Sequence, residues 1–267
     1  MQINTNFIAV LSALLLPATV VAQSAALERL DNSRRHHEWV SIEHGGRTVE
    51  CFLVFPEVAD KVPVVVVIHE NRGLNDWARS VADQVAEAGY IAIAPDLLTG
   101  MGPDGGKTSD FPGSDAARTA LYKLSPDQIT ADLNASANYA AKLPASNGKT
   151  AVAGFCWGGK QSFRFATNRQ DLTAAYVFYG TPPEAESMSG IQCPVYGFYG
   201  GNDARVNATV PETKQAMEKA GRTYEAVTYP GAGHGFMRSG EAADAKPTDK
   251  TGRQQAWDRW TMLLKRI

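Results

Sequence analysis

The residues best suited to covalent chemistry lie in Gly154-Phe155-Cys156-Trp157-Gly158, which follows the apolar run Ala151-Val152-Ala153 and leads into a helical stretch. A nucleophile on a sharp strand-to-helix turn needs small residues two positions to either side, and this pattern supplies them with Cys in the nucleophile's place. The helix that follows would aim its positive end and free N–H groups at the sulfur, which favours thiolate and lowers its pKa. The Trp157 N–H would then be placed to hold an oxyanion. Taken alone, these five residues equally describe a buried structural cysteine in a glycine-rich turn.

A thiol nucleophile needs a base and an orienting acid, here expected later in the chain. Asp203 lies 47 residues on, in Tyr199-Gly200-Gly201-Asn202-Asp203, and His234 lies 31 further, in Pro230-Gly231-Ala232-Gly233-His234-Gly235-Phe236. Each follows a strand-like run. Of five histidines, His36, His37 and His44 flank an edge strand and His69 ends a central one, so His234 alone has a setting open enough to reach the turn. His234 would take the proton or pair with thiolate, with Asp203 steering the ring. A surface histidine and a turn or cap aspartate are the competing readings. Glu70, in Ile68-His69-Glu70-Asn71-Arg72-Gly73, could take the thiol's proton or hold the sulfur inactive; alternatively it anchors the loop, for example through Arg72.

The elements that must position these groups alternate from residue 37 to the end. Val49, Cys51, Leu53 and Phe55 alternate with polar residues, which predicts a strand with one exposed face. Val62–Ile68 is a continuous β-branched run, expected of a central strand covered on both sides. Trp77, Val81, Val85 and Ala88 recur at helical spacing until Gly89, and Tyr90–Ala94 reads as a buried strand. Thr99–Gly113, rich in Gly and Pro, is long enough for a functional loop. Ser125, Pro126 and Gln128 mark a helix start. Strands are predicted at Thr150–Phe155, Ala174–Tyr179, Val195–Tyr199 and Tyr224–Tyr229, and a closing helix carries Trp257, Trp260 and Leu264 on one face. Such β-α repetition implies an α/β architecture, a mostly parallel sheet with helices on both faces and an antiparallel edge at the N-terminus. Ligand sites in such sheets lie beyond the carboxyl ends of the strands, where all three candidates fall.

Four motifs in this order resemble the dienelactone hydrolase (carboxymethylenebutenolidase) family of the α/β-hydrolase superfamily. They are His69-Glu70-Asn71-Arg72-Gly73-Leu74-Asn75, Gly154-Phe155-Cys156-Trp157-Gly158-Gly159, Gly200-Gly201-Asn202-Asp203 and Gly233-His234-Gly235-Phe236, with the strand exit Ala94-Pro95-Asp96-Leu97 also alike. The similarity covers about residues 37 to 266. It implies Cys156, Asp203 and His234 as a triad, and Glu70 as the carboxylate that contacts the resting thiol and helps generate thiolate when substrate binds. It also implies the N–H groups of Asn71 and Trp157 as oxyanion donors, Arg118 and Arg238 as a clamp on a substrate carboxylate, and Tyr122 as a pocket aromatic. Guanidinium forks suit a carboxylate better than a point charge does. Trp157 is bulkier than the residue usual after the nucleophile, and Arg72 adds charge at the mouth. Because thiolate leaves a tetrahedral intermediate easily, an activated substrate such as a small anionic enol lactone is expected. A broad carboxylesterase or thioesterase with the same triad is the alternative, and a redox-sensing exported thiol protein a third reading.

With 44% hydrophobic and 20% charged residues, the chain can bury one sizeable core. A net charge of -2 gives no reason to expect a nucleic-acid or membrane partner, and a monomer is expected. Arg34-Arg35-His36-His37 reads as a solvated strand entry. Phe7–Val21 is almost wholly apolar, and Val20-Val21-Ala22 fits cleavage after Ala22, so residues 1–22 read as a secretory signal peptide, 23–267 as one domain, and the mature protein as secreted or periplasmic. Three cysteines leave at least one unpaired, and a Cys51–Cys193 pair is disfavoured because the two should lie on opposite sides of the sheet. No Cys-x-x-Cys or His-x-x-x-His pair suggests a metal, and no cofactor is expected. Gly105-Gly106-Lys107-Thr108 is not a phosphate loop, because Met101 stands where its first glycine would be.

Overall fold

The computed structural model describes residues 18–267. The expected leader over 1–22 falls for the most part outside the described residues. Helix α1 (Ala18–Asp31) begins within that segment and buries Ala26 and Leu30.

Eight strands form one sheet: β1 (His37–His44), β2 (Arg47–Val54), β3 (Val62–Ile68), β4 (Ile91–Asp96), β5 (Ser146–Phe155), β6 (Leu172–Phe178), β7 (Val195–Gly200) and β8 (Tyr224–Tyr229). Their order is β1-β2-β4-β3-β5-β6-β7-β8. β2 runs antiparallel to both neighbours and every pairing from β4 to β8 is parallel, as the long apolar runs predict. Helices α2 (Asp76–Glu87), α8 (Phe236–Ser239) and α9 (Pro247–Leu264) pack with α1 on one face. Helices α3 (Ser114–Leu121), α4 (Pro126–Ala141), α5 (Trp157–Asn168) and α7 (Val210–Lys219) cover the other. A single turn, α6 (Ala204–Asn207), follows β7. The β-branched run Val64–Ile68 has no exposed surface because each face meets a helical layer.

Three details depart from expectation. β2 is not one-sided: Phe52 and Val54 are buried as well as Val49, Cys51 and Leu53. Helix α2 packs over the face that alternation left to solvent. The basic entry to β1 is solvated only at Arg34 and His36; Arg35 donates to both oxygens of the fully buried Asp83 at 2.8 and 2.6 Å, with Ser33 and His37 on the same carboxylate. Burial alone would raise Asp83, but hydrogen bonds from Arg35, Ser33 and His37 outweigh it and hold the carboxyl below its ordinary range. Third, Thr99–Gly113 is pinned: Thr108 donates to Asp96 through its N–H at 3.0 Å and its hydroxyl at 2.6 Å.

The sheet centre that carries the site is stiffened by aromatic packing. Phe155, Phe178 and Phe198 are register partners on β5, β6 and β7, and their rings stack at centroid distances of 4.5 and 4.2 Å. Trp260 of α9 meets Phe178 edge-on at 5.0 Å. Such pairs contribute roughly 0.5–1.5 kcal/mol each beyond their burial. Cys156 is the residue immediately after this layer.

Candidate active site

Cys156 stands between β5 and α5 with φ 56° and ψ −113°, a backbone conformation that side-chain-bearing residues seldom adopt. The flanking glycines explain how the chain tolerates it. A Cβ on Gly154 would fall on the backbone of Gly158, and one on Gly158 would fall on the carbonyls of Ile68 and His69. Larger residues at either place would push α5 off the end of β3.

The sulfur meets the imidazole directly. His234 Nε2 lies 3.1 Å from Cys156 Sγ, and Nδ1 lies 2.5 Å from Asp203 Oδ2. An ionised carboxylate only accepts, so Nδ1 carries the proton and Nε2 offers its lone pair to the thiol. Asp203 is buried and also caps α6, its Oδ1 accepting from the Val206 N–H at 3.4 Å. The cap and the histidine partner are therefore one residue, not competing readings. Tyr179 packs edge-on against His234 with centroids 5.1 Å apart.

The thiol is not lowered as the helix terminus alone suggests. Burial, and then the nearby Glu70 charge, push Cys156 up to about 11; the N–H groups of Trp157 and Asn71 and the positive Arg205 pull the other way without prevailing. At neutral pH Cys156 is thus held chiefly as the thiol. Both expected oxyanion donors nonetheless face the sulfur.

Glu70 differs from expectation in its partners. It makes no hydrogen bond to the resting thiol. Its Oε2 accepts from Arg238 Nε at 2.8 Å and its Oε1 from the Tyr179 hydroxyl at 3.3 Å, so the loop-anchoring partner is Arg238 and not Arg72. Arg238 is held protonated, first by the Glu70 charge against the cost of its own burial. Arg118 and Tyr122 lie on or just after α3, and neither makes a hydrogen bond or ion pair to the triad among the described residues; Tyr122 is 61% exposed. A cleft of about 860 Å³ begins at Arg72 and runs past Trp39, Lys107 and Phe111, and no triad residue lines it.

Two neighbours of the site escape sequence reasoning. Tyr179 directly follows the apolar strand β6, where nothing marks its hydroxyl as the partner of Glu70. Arg205 follows Asp203 by two, and that adjacency is the only signal of its field on Cys156. The three cysteines are free, and no cluster of three or more His, Cys, Asp or Glu residues suited to a metal occurs among the described residues. No helix there is long and apolar enough to cross a membrane.

The eight-stranded sheet, its covering helices and a cysteine at a strand-to-helix corner within reach of a histidine define an α/β-hydrolase fold. The chain belongs to the dienelactone hydrolase family, whose profile matches residues 49–267. A Yersinia pestis protein named "Putative carboxymethylenebutenolidase" is 32% identical over 214 residues, 76% of each chain. A Salmonella typhimurium protein of the same name is 30% identical over 237 residues, 84% of each. A crystal structure of a Klebsiella pneumoniae protein described as a "Putative Dienelactone Hydrolase" superposes with a TM-score of 0.77 at 26% identity, covering 88% of this chain and all of that one. The Pyrococcus horikoshii acylaminoacyl peptidase, at 11% identity and a TM-score of 0.67, shares the fold alone. The protein is a carboxylic ester hydrolase of the dienelactone hydrolase family.

Proposed function

We propose that this hydrolase opens a small, activated and anionic lactone or ester through a thioester on Cys156, with His234 and Asp203 completing the triad. The observation that carries the reading is the unbroken relay Asp203 Oδ2–His234 Nδ1, His234 Nε2–Cys156 Sγ, at 2.5 and 3.1 Å. Sγ gives its proton to Glu70 and attacks the acyl carbon. A C–S bond forms, and the carbonyl oxygen becomes an oxyanion facing the N–H groups of Asn71 and Trp157. Collapse expels the enolate or alkoxide, which takes the proton. Water then attacks the thioester as His234 accepts its proton; the C–S bond breaks, the acid departs and the thiol is restored.

The raised thiol gives Glu70 its role. While Arg238 holds it, the carboxylate stands near the sulfur without bonding to it. A substrate carboxylate that engages the Arg238 guanidinium competes for that cation and frees Glu70 to take the Cys156 proton, so activation follows binding. A cysteine kept as thiol until then is spared oxidation, which needs thiolate.

A broad carboxylesterase is the second reading. It is favoured by one observation: Arg238 is already committed to Glu70 and Arg118 contacts nothing at the relay, so no ready-made two-arginine clamp supports anion selectivity. Ultraviolet-monitored turnover of cis- and trans-dienelactone beside an aryl acetate separates the two, since anion selectivity predicts a higher kcat/KM for the lactones. Cys156→Ala should abolish hydrolysis and leave the fold intact, and His234→Ala should do nearly the same. Normal turnover by either variant removes the triad. The proposed export of a monomer processed after residue 22 is checked by N-terminal sequencing and light scattering of the secreted or periplasmic protein.

A further inference from the structure

The loop that offers the Asn71 amide is held by a residue so far without a role. His69 ends β3 and has no exposed surface. Its Nδ1 lies 2.8 Å from the Glu70 carbonyl oxygen. A carbonyl can only accept, so Nδ1 carries the hydrogen and Nε2 is left as a bare lone pair. That lone pair is sealed from solvent with no hydrogen-bond partner. Burial holds the imidazole's pKa down, so the ring stays neutral and in this tautomer. Its plane lies almost parallel to the Trp157 indole, at 8° with centroids 5.7 Å apart.

The Glu70 carbonyl and the Asn71 N–H are two ends of one peptide unit. Because that unit is planar and trans, they point in opposite directions, and fixing the carbonyl fixes where the N–H aims. The Asn71 N–H is one of the two backbone groups that pull the Cys156 thiol down. A donor on the carbonyl also polarises the peptide and strengthens its N–H as a donor. Among the described residues the only other donor to that carbonyl is the Gly73 N–H, at a long 3.3 Å. His69 thus grips one oxyanion-bearing peptide by hydrogen bond and packs on the side chain of the residue that bears the other.

We propose that His69 is a positioning residue that aims and polarises the Asn71 amide for the oxyanion, a role that deepens the thioester reading and rests on it. The orphaned Nε2 is the argument against a purely structural part. A buried nitrogen without a partner costs stability, and an apolar ring of similar size would fill the space without that cost. The imidazole therefore contributes through its other nitrogen.

The test is His69→Phe, which keeps volume and stacking but removes the donor, beside His69→Asn, whose amide nitrogen can occupy the place of Nδ1. In His69→Phe, Tm should stay level or rise, KM for an aryl acetate should hold, and kcat should fall by roughly 10- to 100-fold, somewhat less than for outright loss of an oxyanion donor. His69→Asn should recover most of kcat. If His69→Phe does not fold, His69→Leu takes its place. A second readout does not need turnover: the midpoint of Cys156 alkylation by iodoacetamide should move to higher pH in His69→Phe as the Asn71 N–H turns from the sulfur, and return in His69→Asn. The charged and titratable groups around the sulfur (Glu70, Tyr179, His234, Arg205 and Arg238) are the same in all three proteins. Wild-type kcat in His69→Phe, a loss of Tm parallel to the loss of kcat, or an unmoved alkylation midpoint overturns the assignment. Absence of hydrolysis by the wild-type protein would instead sink the thioester reading, and the alkylation midpoint then decides the role of His69 by itself.

Discussion

Removing the Arg238 guanidinium should destabilise the protein far more than a surface charge deletion does. Arg238 and Glu70 meet at 2.8 Å with side chains only 18% and 6% exposed. At that separation and an effective dielectric of about 20, the gross attraction is roughly 6 kcal/mol, set against several kcal/mol of lost hydration for each ion. The net worth of the pair is therefore small, but the cost of breaking it is not. Arg238→Met leaves the Glu70 carboxylate with one neutral donor, the Tyr179 hydroxyl at 3.3 Å. Stranding one member of a buried pair costs roughly 3–5 kcal/mol. For a domain of this size that is a Tm drop of about 6–20 °C, at roughly 2–4 °C per kcal/mol. The double variant Arg238→Met/Glu70→Gln removes both charges and keeps an acceptor for Tyr179, so it should recover most of the loss while remaining inactive. Scanning calorimetry and urea titration of the two singles and the double complete the cycle. A drop below about 1 kcal/mol for Arg238→Met, as for an exposed pair, refutes the reasoning. So does a double variant no more stable than the single.

Other expectations follow from the same contacts. Alkylation of Cys156 by iodoacetamide in the free enzyme should rise with pH toward a midpoint near 11, because a raised pKa keeps the thiolate fraction small below it; a plateau at or below pH 7 contradicts the resting thiol. Asp83→Asn should destabilise the protein in urea titration, by less than the roughly 3–5 kcal/mol of a fully stranded buried ion, because Arg35 keeps Glu87 at 3.7 Å. Asp83 is depressed in the folded state, so its contribution is present above the ordinary carboxylate range and lost as pH falls through its folded value. Tm measured against pH should accordingly flatten on the acid side in Asp83→Asn, and an unchanged acid limb would refute this. Arg238→Gln should raise KM for anionic lactones well above its effect on neutral aryl esters, whereas equal effects dispose of the clamp.

What sequence reveals here follows how local each feature is. The corner at Cys156 is written within five residues, because the crossing of α5 over β3 demands glycine at 154 and 158 wherever such a corner forms. Asp203 and His234 are equally legible, each lying in a glycine-rich turn just past an apolar strand. The parallel sheet is legible too, since strands covered on both faces lack polar interruption. The Glu70–Arg238 pair is not, because its members are 168 residues apart and either could have met another partner. Spacing shows which cations are near in the chain, and so points to Arg72, whose side chain turns instead toward the neighbouring cleft. The buried face of Phe52 and Val54 on β2, and the gathering of Ser33, Arg35 and His37 on Asp83, depend in the same way on which helix comes to lie over the sheet edge. The thiol's upward shift is a balance of burial against a helix terminus, and only the folded environment sets its sign.

Each triad member leaves the sheet from a different strand end and is fixed there by contacts of its own: Cys156 by the corner, Asp203 by its helical turn, His234 by the carboxylate beneath its ring. The Ala185–Gly190 stretch of the β6–β7 connection carries none of this positioning: it packs at the other end of the sheet, where Gln170 and Arg222 donate to the Gly190 and Ser189 carbonyls. Changes of length or sequence there should leave the relay aligned, so the scaffold can vary at one end of its strands without rebuilding the chemistry at the other.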